Sequence, residues 1–181
     1  MLRTAGLPRP TIACLPAHWH NTPERIAPAV REKIRGIGRN YERIFVLYGD
    51  CGTGGELDRM LEREGVERIP GPHCYQFFMG TDEFTETAER EPGCFYLTDY
   101  LVRHFDRLIV AGLGLDRYPE LRDMYFGNYT RLIYIAQTDD PALRRKAQRA
   151  ADRLGLACEV RYRAYGELAA FVNRAMVPAG D

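Results

Sequence analysis

No apolar run in this 181-residue chain approaches a membrane-spanning length: the longest, such as Leu108 to Leu115, stop far short of the ~20 residues needed. An excess of one charge is missing too. Twenty-five lysines and arginines stand against 25 aspartates and glutamates, so no long-range field draws the protein toward nucleic acid or an anionic membrane surface. Membrane and polyanion binding are thereby set aside as main functions. The first ten residues carry two arginines, two prolines and a glycine, but not the roughly 7–15-residue apolar stretch of an export signal. The expectation is a frayed segment at 1–10 on a protein that stays in the cytoplasm. Disulfide-type spacing is also lacking, because Cys14, Cys51, Cys74, Cys94 and Cys158 are odd in number and widely spread. They read as reduced thiols. A domain of this length buries roughly two-thirds of its unfolded surface. With no internal repeat to divide the chain, one α/β domain is expected over 11–177, followed by a tail at 178–181.

What is present is an alternation of strands and helices. Thr11 to Leu15 reads as a strand, and Asn21-Thr22-Pro23 starts a helix that Gly36 and Gly38 close, with Ile26, Val30 and Ile34 on its buried face and Pro28 as a kink near its start. Arg43 to Tyr48 (RIFVLY) has the near-continuous β-branched and aromatic character of a strand covered on both faces. It empties into Gly49-Asp50-Cys51-Gly52-Thr53-Gly54-Gly55, and a helix follows to Gly65. Val66 to Ile69 reads as a short strand, 75–90 as helical pieces, and 93–98 as either a strand or an extended approach to a helix at 98–108. A helix at 118–126, a strand at 130–136, a helix at 140–154, an edge strand at 157–162 and a helix at 166–176 complete the chain. This order predicts a mostly parallel sheet of about five strands with helices on both faces.

Ligands of open α/β sheets collect beyond the carboxyl ends of the strands. His20, Cys51 and Cys74 each follow a predicted strand there, and imidazole nitrogen and thiolate sulfur are the donors zinc prefers. Tight CxxC or HxxxH spacing is absent, so the expectation is a dispersed three-ligand metal site with an open fourth position, the alternative being a merely structural role for these residues. In the glycine-rich turn, the amides of Gly52, Gly54 and Gly55 can cradle an anionic cofactor, although the lysine and hydroxyl of a P-loop are missing. Alternatively these glycines only supply positive φ. A third reading makes Cys51 a nucleophile with His20 or His73 as its base. Asp50 is the catalytic candidate, orienting an imidazole or adding an oxygen ligand; otherwise it caps the turn. Cys14, Cys94 and Cys158 read as core, Cys14 also as a reserve ligand, His18 as solvent-facing and His104 as an exposed mid-helix residue. Tyr96, Tyr100, Tyr125, Tyr129 and Tyr134 read as core packing first, with a pocket wall or subunit interface as alternatives.

The segments LPAHWHNTPERI (15–26), YGDCGTGGELD (48–58), GPHCYQFFMG (71–80), GCFYLTDYLVRHFD (93–106) and LGLDRYPELRDMYFGNYTRLIYIAQ (113–137) resemble the uncharacterised family numbered 1638 among domains of unknown function. The resemblance implies a companion of corrinoid-dependent methyl-transfer systems. The leading expectation is therefore a metal-binding enzyme, zinc first and iron second, acting on a small molecule with a methyl or thiol group. The alternative is a non-catalytic accessory protein that holds a corrinoid, a metal or a partner, such as a corrinoid protein or methyltransferase. A metal-free cysteine hydrolase or transferase stands third, and self-association of the chain is left open.

Overall fold

Five short strands, all parallel to their neighbours, and eight α-helices make up the computed structural model, which describes residues 10–37 and 40–176. The segment expected at 1–10, apart from Pro10, the tail at 178–181 and the helix-closing Gly38 lie outside the described residues. The described residues group into two compact units, one up to His73 together with residues from Glu167 onward, the other Cys74–Gly166.

In the first unit, α1 (Ile26–Ile37) is approached through two 3-10 turns, Ala17–Asn21 and Pro23–Arg25. Pro23 begins the second turn, where its missing N–H would be an orphan in any case. Thr22 stands at the cap position without a side-chain capping bond. Pro28 falls in the first turn of α1, where its missing N–H is one of the orphan donors of a helix start. Ile26, Ala27, Val30 and Ile34 pack with Leu57, Met60 and Leu61 of α2 (Glu56–Glu64), each large side chain contributing roughly 1.5–3 kcal/mol by burial. Gly65, at φ 64°, closes α2 with its N–H on the carbonyls of Leu61 and Glu62.

Two expected strands of this unit are corrected. Thr11 to Leu15 forms no ladder; Thr11 to Cys14 are exposed, Ile12 by 80%. The run is apolar enough for a strand, but Pro10 and Pro16 flank it without N–H donors and no neighbouring strand meets it among the described residues. The run Arg43 to Tyr48 contracts to β1 (Phe45–Val46), whose one partner is β2 (Glu67–Arg68), with Phe45 opposite Glu67 and Val46 opposite Arg68. It is half-buried rather than covered on both faces, and Leu47 is half exposed. The ring of Phe45 meets Phe171 of α8 (Gly166–Met176) edge-on at 6.1 Å.

The second unit is built on β3 (Cys94–Thr98), β4 (Arg131–Ala136) and β5 (Ala157–Tyr162), paired in that spatial order. The central strand β4 is buried from Leu132 onward, as a two-sided parallel strand should be. Strand periodicity sends Leu132, Tyr134 and Ala136 to one face, against α5 (Asp99–Arg103) and α7 (Pro141–Leu154). Ile133 and Ile135 go to the other, against Met79 of α3 (Cys74–Met79) and Phe84 of α4 (Thr81–Arg90). Helices therefore cover both faces of this sheet. Asp140 caps α7 by accepting the Ala142 N–H at 2.8 Å, and Gly155 ends it at φ 74°. The ambiguous 93–98 segment is strand, the 98–108 helix is broken into α5 and a π-helical turn at Asp106–Val110, and the 118–126 helix is α6 (Leu121–Phe126). The α/β class and the five parallel strands stand, divided between a two-stranded and a three-stranded sheet.

Candidate functional site

Parallel pairing of β1 with β2 brings the carboxyl ends of both strands to the same edge of their sheet, and the loops that follow are stitched together there. The Asp50 N–H donates to Gly71 O at 3.1 Å and the Cys51 N–H to Pro72 O at 2.8 Å. Cys51 takes φ 48°, a left-handed conformation that costs a non-glycine residue roughly 1–2 kcal/mol. Strain of this kind persists where the surrounding bonds fix the backbone. Gly52 follows at φ 87°, and a Cβ there would come within 3.3 Å of Pro23, so the turn lies against the chain just beyond His20. Cys74 is two residues past Pro72, carried to its place by the stitched loop.

The outcome is that one ligand atom each of His20, Cys51 and Cys74 lie within 4.8 Å of one another, with His20 exposed and both cysteines half-buried. His20 Nδ1–H donates to Ala17 O at 3.3 Å, and the Tyr48 hydroxyl lies 3.3 Å from the same nitrogen. The imidazole and Tyr48 rings stack with centroids 5.4 Å apart. With Nδ1 held in this way, Nε2 is the ring atom left for a thiol or a metal. The hydrogen bond to the Cys51 side chain, against the opposing effect of burial, raises the His20 pKa above its usual value.

Asp50 caps the turn: its carboxylate accepts from the Thr53 hydroxyl at 2.5 Å, the Gly55 N–H at 2.8 Å and the Gly54 N–H at 3.2 Å. The Thr53 hydroxyl and these amides hold its pKa below the usual carboxylate value. The amides of Gly54 and Gly55, two of the three expected to face an anionic cofactor, thus point at an anion belonging to the chain itself. Gly52, Gly54 and Gly55 all have positive φ, which only glycine adopts without strain.

Sequence reasoning missed Arg68. Its guanidinium grips the Asp58 carboxylate through Nε and Nη2, and its Nη1 donates to Ile69 O at 2.8 Å, Gly71 O at 3.1 Å and Tyr48 O at 3.4 Å. One side chain therefore binds the segments leading to Cys51 and to Cys74, and anchors both to α2. The signal available beforehand was an arginine inside the short strand expected at Val66 to Ile69, a position that would otherwise suit a solvent-facing charge. Asp99 was likewise underrated. This buried carboxylate accepts from Tyr134 Oη at 2.7 Å, Gln137 N at 2.9 Å, and Thr138 N and Oγ1 at 3.1 and 2.6 Å, tying the end of β3 to the end of β4.

Of the remaining candidates, Cys14 is exposed rather than core, because the strand expected to carry it does not form; it is not among the three clustered donors. Cys94 is buried and Cys158 packs against the main cluster, as expected. His18 and His73 are exposed. His104 is half-buried at the end of α5 rather than exposed mid-helix, its ring edge-on to Tyr100 at 4.7 Å. Tyr134 is fully buried, Tyr96 and Tyr129 are half-buried, and Tyr100 and Tyr125 are exposed.

Fold and site together define a mixed α/β protein of parallel strands that gathers two thiols from the loops after β1 and β2 and an imidazole from the 3-10 turn Ala17–Asn21. The chain belongs to the family described as protein of unknown function DUF1638, which it matches over residues 14–172. Comparison with curated proteins and with solved structures gave no match.

Proposed function

We propose that the protein is a metal-binding enzyme that holds zinc, or in second place iron, on His20, Cys51 and Cys74, and acts there on a small molecule with a thiol or methyl group. The observation that carries this reading is the convergence of three donors of the type zinc prefers within 4.8 Å. Tetrahedral zinc needs such donors roughly 3.5–3.8 Å apart, so closing on a metal asks for movement of at most about an ångström. The Ala17 carbonyl supports it by holding Nδ1 as the protonated nitrogen. Three protein ligands leave a fourth position, where zinc would hold a substrate thiol as thiolate or a water as hydroxide. A place in corrinoid-linked methyl transfer rests on the family resemblance; the alternative there is an accessory protein that holds the corrinoid, the metal or a partner without catalysing a step.

The test is elemental analysis of anaerobically purified protein alongside Cys51→Ser, Cys74→Ser and His20→Ala. About one zinc or iron per chain, lost in all three variants, is expected. No metal in the wild type, even after incubation with zinc or ferrous iron, sinks the reading. One observation favours a second reading, a metal-free cysteine nucleophile: the His20 imidazole and the Cys51 thiol are within 4.8 Å of each other, a thiol beside a base. Metal-free protein that iodoacetamide labels rapidly at Cys51, and slowly once His20 is alanine, would select it.

A further inference from the structure

We propose that β5 is the contact by which two copies of this chain pair, antiparallel and about a twofold axis through Val160. Among the described residues β5 has one strand neighbour, β4, so no strand pairs with its other edge. The parallel register sets which groups face outward. Arg131 is opposite Ala157 and Ala136 opposite Tyr162, the Ala157 N–H donates to Thr130 O and the Arg163 N–H to Ala136 O. Parallel ladders use alternate residues, so 157, 159, 161 and 163 spend their N–H groups on β4. The N–H and C=O groups of Cys158, Val160 and Tyr162 point the other way, the Tyr162 carbonyl already accepting from Arg163 Nη1 at 2.8 Å and keeping its second lone pair for a further donor. Val160 is 40% and Tyr162 52% exposed.

Exposed edges are usually defended by proline, lysine or a bulge. The strand ACEVRY has neither of those residues and keeps an unbroken register. Its charges select a second copy as the occupant. With Val160 opposite the partner's Val160, that pair exchanges two hydrogen bonds, and Cys158 and Tyr162 exchange two more at each end. Glu159 then falls opposite the partner's Arg161 in the non-hydrogen-bonded positions, where cross-strand side chains approach most closely. The two nearest registers that keep the outward groups in line place either Glu159 against the partner's Glu159 or Arg161 against the partner's Arg161, and like charges directly opposite are destabilising; registers further off pair fewer of the outward groups. Shifts of intermediate size set outward groups against inward ones. Both charged side chains are already ordered by intrachain pairs, Arg161 Nε with Glu159 at 2.6 Å and Arg131 Nη1 with Glu159 at 2.8 Å, so little rotamer freedom is lost on docking. A strand that reads the same charge sequence against its own reverse is self-complementary, as an isologous interface requires.

The experiment is light scattering on size-exclusion fractions of the full chain, with Val160→Lys and Val160→Pro compared at the same loading. The wild type is expected at twice the 20.7 kDa of one chain. Val160→Lys sets two ammonium groups face to face on the axis, and Val160→Pro removes an outward N–H without touching the β4 ladder. Both are expected at the mass of one chain, with far-ultraviolet circular dichroism and thermal midpoint close to wild type. A wild type with the mass of one chain at every concentration overturns the proposal. So does a double mass that survives in both folded variants.

Discussion

Arg68 does at the scale of one side chain what the loops cannot do for themselves. Backbone bonds join the segments that deliver Cys51 and Cys74, and the guanidinium fork adds the carbonyls of Tyr48, Ile69 and Gly71 together with the Asp58 carboxylate. Arg68→Leu leaves those acceptors without their donor and should lower the unfolding free energy by about 1–3 kcal/mol. Arg68→Lys keeps the charge but not the planar fork, so it should recover part of that stability while the affinity for zinc stays below wild type. Urea unfolding and a zinc competition titration on the three proteins check this, and a wild-type unfolding midpoint in Arg68→Leu would remove Arg68 from the account. Cys51 and Cys74 were legible in the sequence because thiols are scarce in it and strand ends are where ligands gather, whereas His20 was picked for a strand that does not form and reaches the cluster from a 3-10 turn. Arg68 and Asp99 were not. Each is one of many charges in the chain, and what distinguishes them is backbone carbonyls and amides brought near by the fold, which no side-chain pattern encodes. Asp50, read equally as a site carboxylate and a turn cap, is seen in the capping geometry because the donors it binds are the next residues of its own turn.

Among the elements, α4 shows how a helix is fastened to a sheet by charge as well as by Phe84. Glu83 accepts from Arg163 Nε and Nη2 at 2.7 Å each and from Arg161 Nη1 at 3.3 Å, and Arg161 also donates to Thr87 Oγ1 at 2.9 Å. The Arg163 hydrogen bonds, opposed by desolvation, hold the Glu83 pKa below its ordinary 4.5. A carboxyl depressed in the folded state contributes stability that is fully present above the unfolded value and is lost as pH falls through the lower folded value. Glu83→Gln should therefore cost roughly 1 kcal/mol at neutral pH, and its unfolding curve should converge on the wild type in acid. Urea unfolding across an acid series measures the gap; a gap that stays constant below pH 4.5 would assign the loss to shape rather than charge. Elements with both ends marked, such as α7 between Asp140 and Gly155, were legible in the sequence. So was β4, whose apolar run is long enough to need cover on both faces. The shortening of β1 and the missing strand at Thr11 to Leu15 were not, because a strand exists only where a partner supplies the other half of its ladder.

Across the whole molecule, apolar burial is uneven. Among the described residues the first unit's core cluster has seven buried residues, while the larger cluster of the second has fifteen and includes residues of the central strand β4. Local opening follows such differences, so amides of α1 and α2 should exchange with solvent faster than those of β4 in the metal-free protein. The candidate donors His20 and Cys51 belong to the first unit, and Cys74 follows directly on its last loop. A ligand that binds only the closed form slows opening by a factor of about 1 + [L]/Kd. Zinc should therefore deepen protection over residues 48–74 and α1, with less change in β4, and should narrow the difference between the two units. Hydrogen exchange read by mass spectrometry, with and without zinc and repeated on Cys51→Ser, separates the possibilities. Protection that rises equally everywhere would mean the chain opens as one cooperative body. Protection that rises nowhere, or rises as much in Cys51→Ser, would mean zinc is not held by these three side chains, because binding there must appear as stabilisation of the loops that bring them together.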